Sequence, residues 1–472
     1  MNATIPETRN SVRNSPYTPP APPPATPAVQ SKAVQSKAVQ SNSVQNLGFA
    51  ILLPCLLLIH SRASEFIDAD GKFHVVMLLC LVAGLAVLVT GGVFRALASR
   101  AGIWLTTFTV WLIVAVPFSS WRGGSFSSLT DAWLKSYAMF LIAAGLIFSF
   151  SQCRKTIFTL AIATAIIVAI ALKGGLENAQ DSRLAMSYGT LGNANDLAGQ
   201  LMMGLPFCLY VAFEKNRALL IRIFFIAVSA VLLIVIFKTG SRGGLLTLIA
   251  IGAMFFWRIS VSNKLKFGVI LICMASVTPA LLPHDVRERY TTIFSGRQVT
   301  MDAVTNSAVE SAEARQLLLV YSLELTRQHP VFGVGLEQFA NAAWDLAVER
   351  KDPSVYHPVH NIFALIASEN GIPALIFYSS ALFVSFRTLL SLRKASRTHP
   401  SLEHISNLAF CLLLSLTSFT LCGMFNTNAY TSQFPILAGL IAALAYTARP
   451  EIAAVSSSST PAPQPVLWQR AR

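Results

Sequence analysis

Charge is what this chain most conspicuously lacks. Only 12% of its 472 residues are Asp, Glu, Lys or Arg, while 54% are hydrophobic, and that charged share is about half of what a soluble domain carries. A water-soluble globular fold is excluded and a membrane protein is expected. Acidic residues are the scarcer sign, 22 against 36 basic ones, for a formal net charge of +14. The Lys and Arg are scattered through short loops between apolar runs, the pattern of orientation signals, so no nucleic-acid partner is expected. Cys55, Cys80, Cys153, Cys208, Cys273, Cys411 and Cys422 all fall within or beside apolar segments. No disulfide framework or metal-ligand spacing is visible among them. Paired carboxylates or a DxD-like cluster are also missing from the polar loops, so neither a metal nor a cofactor is expected. Gly333-Val334-Gly335 has no βαβ unit around it and reads as a helix-stopping turn rather than a nucleotide loop.

Twelve apolar stretches are present, at about 47–62, 73–95, 101–119, 135–151, 156–174, 196–213, 219–238, 244–258, 265–283, 359–385, 406–425 and 433–448. Several are near the lower length limit for a span. Alternate loops carry fourteen cations on one side and eight in the short loops of the other. The richer side is cytoplasmic by the positive-inside bias, which puts both termini in the cytoplasm and a long polar loop, 283–358, outside. Residues 1–46, Pro-rich and then repeating Ala28-Val29-Gln30-Ser31-Lys32 as Ala33-Val34-Gln35-Ser36-Lys37, are expected to be disordered, as is the tail 449–472. The expected fold is all-α and polytopic, with about 12 transmembrane helices in the domain 47–448.

Three outward places combine a cation with small polar residues. In Lys238-Thr239-Gly240-Ser241-Arg242-Gly243-Gly244, Arg242 stands between two apolar runs. It is either a snorkelling turn residue or a bidentate phosphate ligand beside open backbone amides. Arg183 precedes Gly192-Asn193-Ala194-Asn195-Asp196, where Asn195 or Asp196 taken alone is an ordinary N-cap. In the long loop, 310–328 lacks Gly and Pro and spaces Leu318, Tyr321 and Leu325 as an amphipathic helix would, with Arg315 in its first turns. His360-Asn361 then opens an apolar helix that contains Glu369, a carboxylate costly there unless it faces the protein interior.

Taken together, Gly192-Asn193-Ala194-Asn195, Gly240-Ser241-Arg242-Gly243, Arg315 followed by His329-Pro330-Val331-Phe332-Gly333-Val334-Gly335, and His360-Asn361 with Gly371 resemble the O-antigen ligase and polysaccharide polymerase superfamily of bacterial membrane glycosyltransferases. The likeness runs over about residues 47–448. A tryptophan usual shortly after the Arg315 position is replaced by Leu317, Leu318 and Leu319. The resemblance implies a GT-C-like fold in the bacterial inner membrane and transfer of a glycan from undecaprenyl pyrophosphate to a sugar hydroxyl outside that membrane. It implies that Arg242 and Arg315 hold the pyrophosphate and that His360 acts on the acceptor. Arg183, Asn193, Asn195, Ser241, Asn361 and Glu369 are the expected substrate-binding residues. The implied partners are the undecaprenyl pyrophosphate-linked glycan, lipid A-core or another glycan acceptor, and membrane lipids.

The chemistry of these residues is consistent with that. Two guanidiniums can neutralise a leaving pyrophosphate without a metal, and imidazole titrates near working pH, as a general base should. One large and one modest outward loop lean to ligase over polymerase, which remains the alternative. A transporter would show matched broken helices in two repeated halves, and no such repeat is seen.

Overall fold

The computed structural model describes residues 32–63, 65, 74–177, 183–186, 189–259, 264, 265, 268, 282–291, 303–352, 356–397 and 399–458. Two compact units divide at Ser43 and Val44. The first contains only the start of α1 (Lys32–Ser61) among its described residues. Residues 32–46 are therefore helical where a disordered tail was expected, while 1–31 lie outside the described residues.

The second unit is an all-α polytopic membrane protein. After α1 come α2 (Val75–Val89), α3 (Gly92–Ala98), α4 (Arg100–Ala115), α5 (Arg122–Ser128), α6 (Leu134–Leu146) and α7 (Phe150–Gly174). A two-stranded antiparallel ladder, β1 (Gly175–Glu177) and β2 (Leu184–Met186), leads to α8 (Ala194–Phe213), α9 (Leu219–Lys238) and α10 (Arg242–Arg258). The polar interruption holds α11 (His284–Thr291), α12 (Ala303–Gln328) and α13 (Phe339–Arg350). The chain closes with α14 (Ile362–Ser396), α15 (Glu403–Gly423) and α16 (Gln433–Ser458). Residues 449–458 thus extend the last helix rather than joining a tail, and 459–472 lie outside the described residues.

Eight described helices are long and apolar enough to cross a membrane, and α2 with α3, bent by 86°, makes a ninth if the pair is one span. The bend falls at Thr90-Gly91, where Gly91 takes φ +68°. Of the other three expected spans, 135–151 belongs to a helical run from Arg122 to Leu146, in which a π segment, Leu129–Trp133, joins α5 to α6. The stretch 244–258 is α10, seventeen residues long, and 265–283 lies almost wholly outside the described residues.

The bundle is centred on α8 and α15, the most deeply buried of its candidate spans. Pro206 interrupts the hydrogen-bond ladder of α8. Neighbouring α15 ties itself to this stretch of α8: Ser415 Oγ donates to the Met203 carbonyl at 3.0 Å and Cys411 Sγ to that of Pro206 at 3.3 Å.

The element that positions the loop face is the break in α14. Gly371 has φ +82° and ψ +173°, and Pro373 follows it. In a continuous helix the carbonyls of Ser368 and Glu369 would accept from the amides of residues 372 and 373. Residue 373 has no N–H, and Ile372 N–H instead donates to the Pro330 carbonyl at 2.8 Å. The vacated acceptors are taken by the turn after α12: Val334 N–H bonds Ser368 O at 2.9 Å and Gly335 N–H bonds Glu369 O at 2.8 Å. Trp111 Nε1 reaches the third carbonyl, of Asn370, at 2.9 Å. Gly333, Gly335 and Gly371 all have positive φ, and a β-carbon on any of them would overlap, respectively, the Glu369–Asn370 backbone, the Ser119 hydroxyl or the Val331 carbonyl. The His-Pro-Val-Phe-Gly-Val-Gly turn is thus a plug in a broken helix.

Candidate active site

His360 immediately precedes α14, whose N-cap is Asn361. The Asn361 Oδ1 accepts the amides of Phe363 and Ala364 at 3.0 and 3.1 Å, so this side chain fixes the helix start and with it the place of His360. The α12 helix begins at Ala303 rather than near 310, which puts Arg315 in its middle. Arg315 lies three and seven residues before Leu318 and Ser322, both buried, and continues the stripe that packs α12 against α14. Arg315 and His360 are electrostatic neighbours. Burial first, then Arg315 and His357, push the His360 imidazole down to about 4, which keeps it neutral near pH 7. Arg315 also acts on Asp196, in the first turn of α8, as does Arg62, at the end of α1; the Asn428 side chain hydrogen-bonds the same carboxylate.

The remaining expected residues divide into those at the mouth and those that build it. Arg242 is the first residue of α10, half-buried. Its neighbours do not open backbone to a ligand: Ser241 is the N-cap, its Oγ accepting the Gly244 amide at 3.2 Å. Gly243 is pressed on the Phe425 ring and Gly244 on Ala198. These two glycines serve helix packing, and the reading of them as open phosphate amides is corrected. Phe425 belongs to the same loop as Asn428, so α10 starts beside the Asp196 group.

Arg183 is a strap. Its Nε donates to the Thr239 carbonyl at 2.8 Å and its Nη2 to Asn195 Oδ1 at 2.9 Å, tying the α9–α10 turn to the start of α8. The α8 N-cap is Asn193, not Asn195 or Asp196; its Oδ1 accepts the Asn195 amide at 2.8 Å. Glu369, expected to bind substrate, is 2% exposed and turned inward. One oxygen accepts the Phe339 amide at 3.2 Å and the other the Tyr430 hydroxyl at 2.8 Å, and Asn370 Nδ2 donates to that hydroxyl at 2.6 Å. The carboxylate braces α13 and the loop before α16 against the α14 break.

Sequence reasoning missed Arg62. Its backbone is left-handed at φ +58°, its Nη1 meets Glu65 Oε1 at 3.3 Å, and its Nε is buried with no hydrogen-bond partner among the described residues. Only its place at the end of the first apolar run could have marked it. It lines a cavity of about 1120 Å³ that runs along α2, walled by Met77, Leu81 and Leu85 and by Met139 of α6. Its polar lining includes Glu65, Asp131, Lys135, Thr190, Glu337 and Thr427 as well as Arg62. This volume is at or above the upper end of ordinary ligand sites.

The fold and this face define an integral, all-α, polytopic membrane protein with a half-buried neutral imidazole beside a guanidinium at one end of the bundle. Residues 227–379, about a third of the chain, are similar to the family model described as O-antigen ligase. The match takes in Arg242, Arg315, the plug turn and His360, but not Arg62 or Asp196. No curated protein matches the chain. A solved chain from "Structural coordination of polymerization and crosslinking by a peptidoglycan synthase complex" is similar at 16% identity, over 75% of this chain and 99% of that one, with a TM-score of 0.38.

Proposed function

We propose that the protein is a glycosyltransferase of the O-antigen ligase type, moving a glycan from undecaprenyl pyrophosphate to a sugar hydroxyl at the outer face of the bacterial inner membrane. The observation that carries this is the chain of neighbours from the cavity beside α2 to the imidazole: Arg62 in the cavity wall, Asp196 under the fields of Arg62 and Arg315, and Arg315 against His360. A polyprenyl tail fits the cavity beside α2, and its pyrophosphate then falls among the cations. The acceptor oxygen attacks the anomeric carbon as the bond from that carbon to the phosphate oxygen breaks. His360 takes the hydroxyl proton, and Arg315 and Arg242 neutralise the departing pyrophosphate, the role a metal would otherwise fill.

An imidazole held near 4 is a weak base at neutral pH. Two of the three causes of that depression are nearby cationic or protonatable groups, and an anionic donor beside Arg315 opposes them. The donor thus tunes its own base upward. The test is transfer by purified protein with lipid-linked donor and saturating acceptor. His360→Ala is expected to lose about 10²-fold or more of the rate, and His360→Gln, which cannot take up a proton at this pH, is not expected to restore it. Near-normal transfer by His360→Gln overturns the base assignment. Lipid A-core against a second lipid-linked glycan as acceptor separates ligase from polymerase.

A further inference from the structure

At the end of the bundle away from His360, Arg258 closes α10 and Arg393 and Arg397 close α14. With Met254, Trp257 and Phe410 they line a cavity of about 450 Å³. The three guanidiniums repel one another there: Arg393 and Arg397 both oppose the charge on Arg258, and Glu403 is the carboxylate that acts in its favour. The Phe410 ring holds two of them, with its centroid 4.4 Å from the guanidinium carbon of Arg258 and 4.6 Å from that of Arg393. Arg258 Nη2 donates to Asn407 Oδ1, but Arg258 Nη1 and Arg393 Nε are shielded from solvent and have no hydrogen-bond partner among the described residues.

Orientation signals account for cations in loops, but such cations keep their donors in water. Converging guanidiniums with buried, unsatisfied N–H groups are an arrangement that a multidentate anion would complete. We propose that this cavity binds one phosphate group, that of an anionic phospholipid in the leaflet at this end of the protein. The apolar wall of Met254, Trp257 and Phe410 favours a lipid over a free ion. Trp257, 78% exposed at the end of its helix, is placed as an interfacial tryptophan beside a headgroup. This site is separate from the glycan chemistry and does not depend on it.

The test uses the full-length protein in detergent with phosphatidylglycerol and phosphatidylethanolamine at equal concentration, read by native mass spectrometry. One phosphatidylglycerol is expected to be retained in preference, and Arg393→Gln and Arg397→Gln are each expected to weaken that retention about fivefold or more. Arg397 is exposed, so its variant reports on the site without a folding defect. Thermal melts supply the second reading. Arg393→Gln is expected to raise the midpoint in lipid-free detergent, by relieving repulsion, and to lose the stabilisation that phosphatidylglycerol gives the wild type. Inorganic phosphate, compared with chloride at matched ionic strength, identifies the source. Stabilisation by phosphate and not by lipid keeps the anion site and overturns the lipid as its occupant. No preference for the anionic lipid together with no effect of phosphate, or a preference unchanged in both variants, overturns the proposal.

Discussion

Replacing Gly371 with alanine is the sharpest perturbation of the scaffold that holds the site. The φ of +82° and ψ of +173° at this residue belong to a region open essentially to glycine alone, and an L-residue there costs about 1–3 kcal/mol. Its β-carbon would also overlap the Val331 carbonyl, so the plug turn has to retreat. Three backbone hydrogen bonds join the turn to the break, Ile372 to Pro330, Val334 to Ser368 and Gly335 to Glu369, each contributing about 1 kcal/mol net. Loss of two of them with the backbone strain totals roughly 3–5 kcal/mol, a drop of about 3–5 °C in apparent melting midpoint for a protein of this size. The control is Gly252→Ala in α10, where a β-carbon meets nothing within 4 Å and helix propensity improves by up to about 1 kcal/mol. Both would be measured as melts of detergent-purified protein together with transfer activity, because displacement of the turn also shifts the approach of α12, and so Arg315, to His360. A Gly371→Ala protein that melts and transfers like the wild type would refute the account of the turn as a plug.

Arg242→Lys and Arg315→Lys are each expected to lose most transfer activity, since an ammonium keeps the charge but not the fork that binds phosphate bidentately; near-normal transfer in an initial-rate assay would make that arginine an orienting residue. His360 has a folded pKa of about 4 against 6.5 for an ordinary histidine, so the unfolded chain takes up its proton first as pH falls. Stability present above about pH 6.5 should therefore be lost between there and pH 4, by about 2 kcal/mol after allowance for solvent screening, and melts of His360→Gln across that window should fall less steeply. The same depression predicts that binding of a lipid pyrophosphate at pH 5–6 draws a proton onto His360; calorimetry in two buffers of different ionisation enthalpy should show the uptake in the wild type and not in His360→Gln. For topology, Ser127 and Ala453 are exposed, whereas Ser241 and Ser396 are buried and would not label. Cysteine at Ser127 is expected to react with an impermeant thiol reagent in spheroplasts and cysteine at Ala453 is not, and the reverse result would invert the orientation.

The sequence by itself determined the class of the molecule and singled out the candidate groups at one end of it. Low charge and long apolar runs leave only a membrane bundle, because lipid demands that each crossing satisfy its own backbone. The spacing of Leu318, Tyr321 and Leu325 fixed the buried face of α12, since a 3.6-residue period is a local property. Arg315 and His360 stood out because a charged or titratable side chain is expensive at a membrane boundary. What only the tertiary structure decided was the use of groups whose meaning depends on a partner far along the chain. Ser241, Asn193 and Asn361 turned out to be helix caps, and Arg183 became a strap to Thr239 and Asn195, fifty-six and twelve residues away. Glu369 was sealed under Tyr430, sixty-one residues on. Gly333-Val334-Gly335 was legible as a turn, but its pairing with the carbonyls freed in α14 was not, because a local sequence records which hydrogen bonds a proline or glycine removes and not what replaces them. Arg62 was unreadable for the same reason: one cation among the loops acquires a role only when folding sets it in the wall of a cavity and beside Asp196.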